Sequence, residues 1–223
     1  MVSFRNVSYS YPKSEKKILD NASFEISKGE FAIIQGAAGA GKSTILHLLT
    51  CQSKPDAGEI TVGPYEFSGL KRKKIPEYRR SIGCVFEDFK LLEEKTVAEN
   101  IAFALEVQKK FRSKDITEKT EEIAERCNVL DEMDHFPREL SAGSNQRVAI
   151  ARALVTEPLV LLMDGAIAQL DDETARMILD LLASENIRGM TVLLMQTTDR
   201  FFDFLPKSAK YFRIDSGMVG AGL

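Results

Sequence analysis

The sequence is poor in the residues that would make it a disulfide scaffold, a metal cage or a membrane span. Its three cysteines, Cys51, Cys84 and Cys127, lie far apart. So odd and sparse a set builds no disulfide framework, and no CxxC pair suggests a metal site. A reduced, cytosolic chain is the plain expectation. No apolar run approaches the roughly 18 residues that a membrane helix needs. The start, Met1-Val2-Ser3-Phe4-Arg5, lacks the apolar core of a signal peptide. The chain is therefore expected not to cross a membrane itself, so that any membrane role passes through a partner. Positive charge is not in excess, since the formal net charge is -3. That argues against a nucleic-acid partner, which usually shows as a basic domain. Histidine is scarce too, with only His47 and His135.

What is present is ordinary for a soluble globular protein, with 44% hydrophobic and 28% charged residues. The 223 residues suit one α/β domain over 1–223, and no repeat, low-complexity tract or long linker divides them. The first 30 residues read as short strands of an antiparallel N-terminal part, with alternation over Ala22 to Ile26 and a turn at Ser27-Lys28-Gly29-Glu30. Phe31-Ala32-Ile33-Ile34 reads as a buried strand, and Lys42 to Leu49 as a helix. Ile82 to Phe86 is a further strand. From Thr96 to about Arg126 the pattern is helical: Ile101, Ala104, Leu105 and Gln108 share a face that Phe103 and Val107 widen. Asn145 to Val155 is a second strong helix. Leu159 to Met163 reads as a buried strand, Glu173 to Ala183 as a helix, and Thr191 to Met195 as a strand. Lys210 to Ile214 is a final strand, turning at Asp215-Ser216-Gly217. Alternating strands and helices imply a mainly parallel sheet core. The strand-poor middle implies a helical subdomain over roughly 90–156, set into a core of roughly 1–89 and 157–223.

One segment carries a chemistry. Gly36-Ala37-Ala38-Gly39-Ala40-Gly41-Lys42-Ser43-Thr44 matches G-x-x-x-x-G-K-[ST] at every position, between a predicted strand and a predicted helix. Glycines let successive backbone N–H groups turn inward around phosphate oxygens. Lys42 supplies a cation to the β- and γ-phosphates, Ser43 offers a hydroxyl to Mg²⁺, and the following helix adds its positive end. Asp164, just past the apolar strand, stands where α/β sheets bind ligands, and can hold Mg²⁺ through water. ATP and Mg²⁺ are the expected ligands.

Between these two lies Leu140-Ser141-Ala142-Gly143-Ser144-Asn145-Gln146-Arg147-Val148-Ala149-Ile150-Ala151-Arg152-Ala153-Leu154. This resembles the signature of the ABC ATPases, LSGGQ or LSGGEQQR followed by VAIARAL. The order of phosphate loop, signature and aspartate strand is also that of the family, a P-loop NTPase fold. The resemblance implies a head-to-tail dimer, with an identical copy or a second ABC ATPase. Each ATP would lie between one phosphate loop and the other subunit's signature. By position it implies that Leu140, Ser141, Ala142, Gly143 and Ser144 act in trans, Ser141 and Gly143 contacting the γ-phosphate. Leu170-Asp171 would form the D-loop at the dimer face, and Tyr11 would stack on adenine. Val85-Phe86-Glu87-Asp88-Phe89-Lys90-Leu91-Leu92, followed by Lys95-Thr96-Val97-Ala98-Glu99-Asn100, is similar to FtsE-type cell-division ATPases, with lipoprotein-release and macrolide-export ATPases as relatives. That implies an FtsX-like membrane partner docked near residues 87–100 and a place at the cytoplasmic face of the membrane. The basic stretch Lys71-Arg72-Lys73-Lys74 with Arg79-Arg80 reads as a solvated face, or else as attraction to an anionic leaflet.

Three positions depart from the family, all of them concerned with hydrolysis. Gly165 follows Asp164 where the family has a glutamate that acts as general base. Thr198 stands where the family has a switch histidine, and neither histidine of the chain can take its place. Glu87 replaces the Q-loop glutamine; its carboxylate could bind Mg²⁺ more strongly than an amide and would repel a nearby γ-phosphate. The groups for phosphate and Mg²⁺ remain, namely Lys42, Ser43, Asp164, Ser141 and Gly143. A general base contributes about 10²- to 10⁴-fold. The expectation is an ATP-binding switch with slow or absent hydrolysis. The alternatives are an active ATPase with Glu87 as substitute base, a subunit of a lipoprotein-release or export transporter, and a structural subunit that needs no nucleotide.

Overall fold

The computed structural model describes residues 1–12, 16–168 and 170–221. Four strands form an antiparallel sheet: β1 (Val2–Ser10), β2 (Lys17–Ile26), β4 (Ala57–Val62) and β5 (Tyr65–Glu66), in the order β2-β1-β4-β5. Between β2 and β4 the chain enters a second sheet through β3 (Phe31–Gln35) and then forms α1 (Lys42–Leu49). The second sheet continues with β6 (Gly83–Phe86), β7 (Val160–Asp164), β8 (Thr191–Gln196), β9 (Lys210–Asp215) and β10 (Met218–Ala221), in the order β10-β9-β3-β8-β7-β6. The five strands β9, β3, β8, β7 and β6 run parallel, and β10 closes one edge as an antiparallel hairpin with β9. The α/β class with a mainly parallel core and an antiparallel N-terminal sheet is thus as the sequence implies. Among the described residues the remaining α-helices are α2 (Ile75–Arg79), α3 (Val97–Glu106), α4 (Ser113–Arg126), α5 (Ala142–Leu154) and α6 (Asp172–Ile187).

The apolar runs explain why the large sheet is covered on both faces. In a strand successive side chains point to opposite faces, so a continuous apolar run needs two cores. In β7, Leu161 and Met163 join the core built with α3 to α6, whereas Val160 and Leu162 join the core built with α1 and the antiparallel sheet. In β8, Val192 and Leu194 divide from Leu193 and Met195 in the same way. All eight side chains are fully buried, and such burial stabilises by about 1.5–3 kcal/mol per side chain.

Two expectations are corrected. The helical stretch from Thr96 to about Arg126 is two helices, interrupted over 107–112. Lys109 there adopts a left-handed φ of 55°, which no α-helix continues through. Asp115 then restarts the helix by accepting from the Arg112 backbone N–H at 3.3 Å and from its guanidinium Nε at 3.0 Å. Phe103 and Val107 do not widen a buried face; they are 39% and 42% exposed. The buried face of α3 is Val97, Asn100, Ile101 and Leu105. The turn expected at Asp215-Ser216-Gly217 is the β9–β10 hairpin, with Asp215 opposite Met218 and positive φ at both Ser216 and Gly217. Right-handed strand twist favours such a turn.

Candidate functional site

Four adjacent parallel strands, β3, β8, β7 and β6, deliver their carboxyl ends to one end of the sheet. This is where open α/β sheets bind ligands. The phosphate-loop sequence leaves β3 there, Asp164 ends β7 with Gly165 next, Glu87 follows β6, and Thr198 follows β8.

The loop is tied down by its own backbone. Gly36 donates its N–H to the Gln196 carbonyl at 3.2 Å, and Ala40 donates to the Ala37 carbonyl at 3.1 Å. Gly36 must be glycine for reasons of space, since a Cβ would stand 2.7 Å from the Ile214 carbonyl oxygen. Gly41 must be glycine for reasons of conformation, because it caps α1 with φ 113°. Lys42, the first residue of α1, is 8% exposed. Its ammonium donates to the Gly36 carbonyl at 2.6 Å and to the Ala37 carbonyl at 2.9 Å. Burial pushes its pKa down, and the Asp164 carboxylate nearby opposes that shift. Ala37, Ala38, Gly39 and the Ser43 side chain are exposed, so loop and hydroxyl face solvent.

Tyr11 lies beside this loop. Its hydroxyl is 3.1 Å from Thr44 Oγ1, its ring meets Tyr9 edge-on, and it remains 40% exposed. An exposed aromatic face at the edge of a phosphate loop can stack on a base.

Asp164 is opposite Phe86 in β6 and Met195 in β8, and Gly165 donates its N–H to the Met195 carbonyl at 3.0 Å. No group of three or more His, Cys, Asp or Glu capable of holding a metal occurs among the described residues. Ser43, Asp164 and Glu87 are hard oxygen donors. Such a set fits Mg²⁺ shared with substrate phosphates, not a metal caged by protein alone.

Thr198 stands in the turn that follows β8. Its Oγ1 accepts from the Arg200 backbone N–H at 3.1 Å and shapes the turn after β8. Gln169, just before Leu170-Asp171, lies outside the described residues. Asp171 caps α6, accepting from the Thr174 N–H at 2.9 Å and the Thr174 hydroxyl at 2.8 Å. These two hydrogen bonds hold its carboxyl below the usual carboxylate range.

The signature sits on other elements. Ser141 caps α5, its Oγ accepting from the Ser144 N–H at 3.0 Å. A Cβ at Gly143 would stand 2.8 Å from Thr174 Cγ2, so the start of α5 packs against the start of α6. Whereas α1 packs on β7 and β8, α5 packs on α3, α4 and β6. Phosphate loop, Asp164, Glu87 and Gly165 are gathered at the sheet end; Leu140, Ser141, Ala142, Gly143 and Ser144 are held at the start of α5.

Two residues of the site were missed by sequence reasoning. Arg200 donates to the Leu170 carbonyl at 3.2 Å and to Asp172 Oδ1 at 2.6 Å, joining the turn after β8 to the start of α6. Its position two residues past Thr198 was the only available signal. Gln196 is 1% exposed, and neither its Oε1 nor its Nε2 has a hydrogen-bond partner. A glutamine directly after the apolar run Val192-Leu193-Leu194-Met195 was the signal there.

The sequence profile described as "ABC transporter" matches residues 19–168. The chain is 43% identical over 194 residues to the cell division ATP-binding protein FtsE of Mycobacterium tuberculosis, covering 87% of this chain and 84% of that one. It is 39% identical to the methionine import ATP-binding protein MetN of Carboxydothermus hydrogenoformans, again over 87% of this chain but spanning only 58% of that protein. A solved dimeric ATP-binding cassette in a post-hydrolysis state, bound to ADP and Pi, superposes on the whole chain with TM-score 0.88 at 29% identity, all of that chain being covered. With the phosphate loop and the aspartate strand at one sheet end and the signature opening α5, this chain belongs to the ABC transporter family of ATP-binding proteins.

Proposed function

We propose that the chain is the ATP- and Mg²⁺-binding subunit of an FtsE-type membrane complex, in which ATP binding closes a dimer and hydrolysis is slow. The observation that carries this is the loop from Gly36 to Lys42. Its lysine is in place beside Asp164, whereas positions 165 and 198 hold neither a carboxylate nor an imidazole. Lys42 and the backbone N–H groups of the loop bind the phosphates. Ser43 and Asp164 hold Mg²⁺, which neutralises phosphate charge when bound. Tyr11 stacks on the adenine, and Ser141 and Gly143 reach the γ-phosphate held by the other copy. Similarity to FtsE proteins over most of both chains supports the division role and an FtsX-like partner. The apolar side chains Leu92, Phe103 and Val107, each more than a third exposed, support docking of such a partner beside α3. Among the described residues no helix is long and apolar enough to cross a membrane.

Titration calorimetry with Mg-ATP, paired with phosphate release, tests the reading. Micromolar binding that Lys42→Ala weakens about 10- to 100-fold, with turnover far below that of an ABC ATPase holding both glutamate and histidine, is expected. Absence of binding, or rapid Lys42-dependent turnover, contradicts it.

A further inference from the structure

The departures at 87 and 165 are coupled in space. Strands β6 and β7 are parallel neighbours with Phe86 opposite Asp164, so the next residue of each, Glu87 and Gly165, emerges side by side. A Cβ built on Gly165 would stand 2.9 Å from Glu87 Oε2 and 3.3 Å from Glu87 Cβ and Cδ. The Glu87 carboxylate therefore overlies Gly165 and fills the space into which a side chain at 165 would grow. A carboxylate is missing from the end of β7, and a carboxylate from the end of β6 stands in its place. Two carboxylates crowded there would repel each other, because at such a separation neither would be well screened.

We infer that Glu87 and Gly165 form a coupled exchange: Glu87 carries the water-directed carboxylate of this site, and glycine at 165 admits it. This rests on the ATP-binding reading above. Glu87 accepts a hydrogen bond from the attacking water and turns a lone pair of its oxygen toward the γ-phosphorus. The new P–O bond forms as the bond to the bridging oxygen breaks. ADP leaves with that electron pair, and the two protons of the water end on the phosphate product and in solvent. The turnover that results is slow because Thr198 offers no imidazole to the γ-phosphate.

Four proteins test this: wild type, Glu87→Gln, Gly165→Glu and the double variant Gly165→Glu/Glu87→Gln, with Lys42→Ala as background. Glu87→Gln is expected to lower the turnover number about tenfold or more, while Lys42-dependent Mg-ATP binding remains measurable by calorimetry. Gly165→Glu is expected to lower the melting temperature and not to raise turnover. The double variant is expected to recover part of both, because the glutamate then sits at 165 facing an amide. The strain of a non-glycine residue at φ +64° is common to both 165 variants and cancels in the comparison. Turnover unchanged in Glu87→Gln with binding intact overturns the inference, as do additive melting shifts in the double variant. Wild-type turnover no higher than Lys42→Ala, with ATP bound, overturns it as well. Failure of wild type to bind Mg-ATP would instead overturn the functional reading on which it stands.

Discussion

Lys42 and Gly36 show how much of the site was legible residue by residue. The spacing of glycines, lysine and serine is dictated by phosphate chemistry, so the loop could be read directly from the sequence. Lys42→Ala should weaken Mg-ATP binding by about 10- to 100-fold, the equivalent of one or two charged hydrogen bonds, as measured by calorimetry. Gly36→Ala drives a methyl against the Ile214 backbone. It should destabilise the fold by about 1–3 kcal/mol and impair the loop, visible as a lower melting temperature together with lost binding. Gln196 was not legible, because whether a buried amide finds a partner depends on what neighbouring strands bring to it. Its two orphaned polar atoms make the nearly isosteric Gln196→Met a stabilising change, by about 1 kcal/mol in chemical denaturation. Nor could the contact between Glu87 and Gly165 be read, since the two stand far apart in the chain and meet only because β6 pairs with β7.

At the scale of elements, strands with a single reading came out well and helix limits less so. Phe31 to Ile34, Val160 to Met163 and Val192 to Met195 are apolar throughout and fully buried, as a strand covered on both faces requires. The helical stretch after Thr96 misled because periodicity persists across a break made by one backbone conformation at Lys109. Short edge elements such as β5 and α2 carry too few residues to show a period. The start of α3 illustrates what holds an element in register. Thr96 and Glu99 form a reciprocal cap. Behind it the buried Asn100 accepts from the Leu92 N–H at 2.8 Å and donates to the carbonyls of Leu92, Lys95 and Thr96, each at 3.0 Å. Asn100→Ala would strip that loop of its anchor and leave the part-buried Leu92 N–H without this acceptor. A loss of about 2–4 kcal/mol is expected, with faster amide exchange over residues 92–96.

For the whole molecule, two measurements report on the assembled fold and its proposed cycle. Cys127 is 1% exposed, and burial pushes its thiol up to about 12. At pH 8 it should resist thiol reagents in the native protein and react once the chain is unfolded, a mass-spectrometric check on global opening. Slow hydrolysis should also let wild type persist as a dimer in Mg-ATP without any stabilising substitution, and Lys42→Ala should stay monomeric, as light scattering would show. The ammonium of Lys42, bonded to the Gly36 and Ala37 carbonyls, has a thermodynamic consequence for that cycle. A phosphate oxygen reaching Lys42 exchanges one set of hydrogen-bond partners for another within a loop that already has its shape. Binding to a single subunit should therefore show a small heat-capacity change, without the large negative value of a segment that folds around its ligand. The larger change should appear only at concentrations where two copies meet, so that varying protein concentration in the calorimeter separates ligand capture from closure.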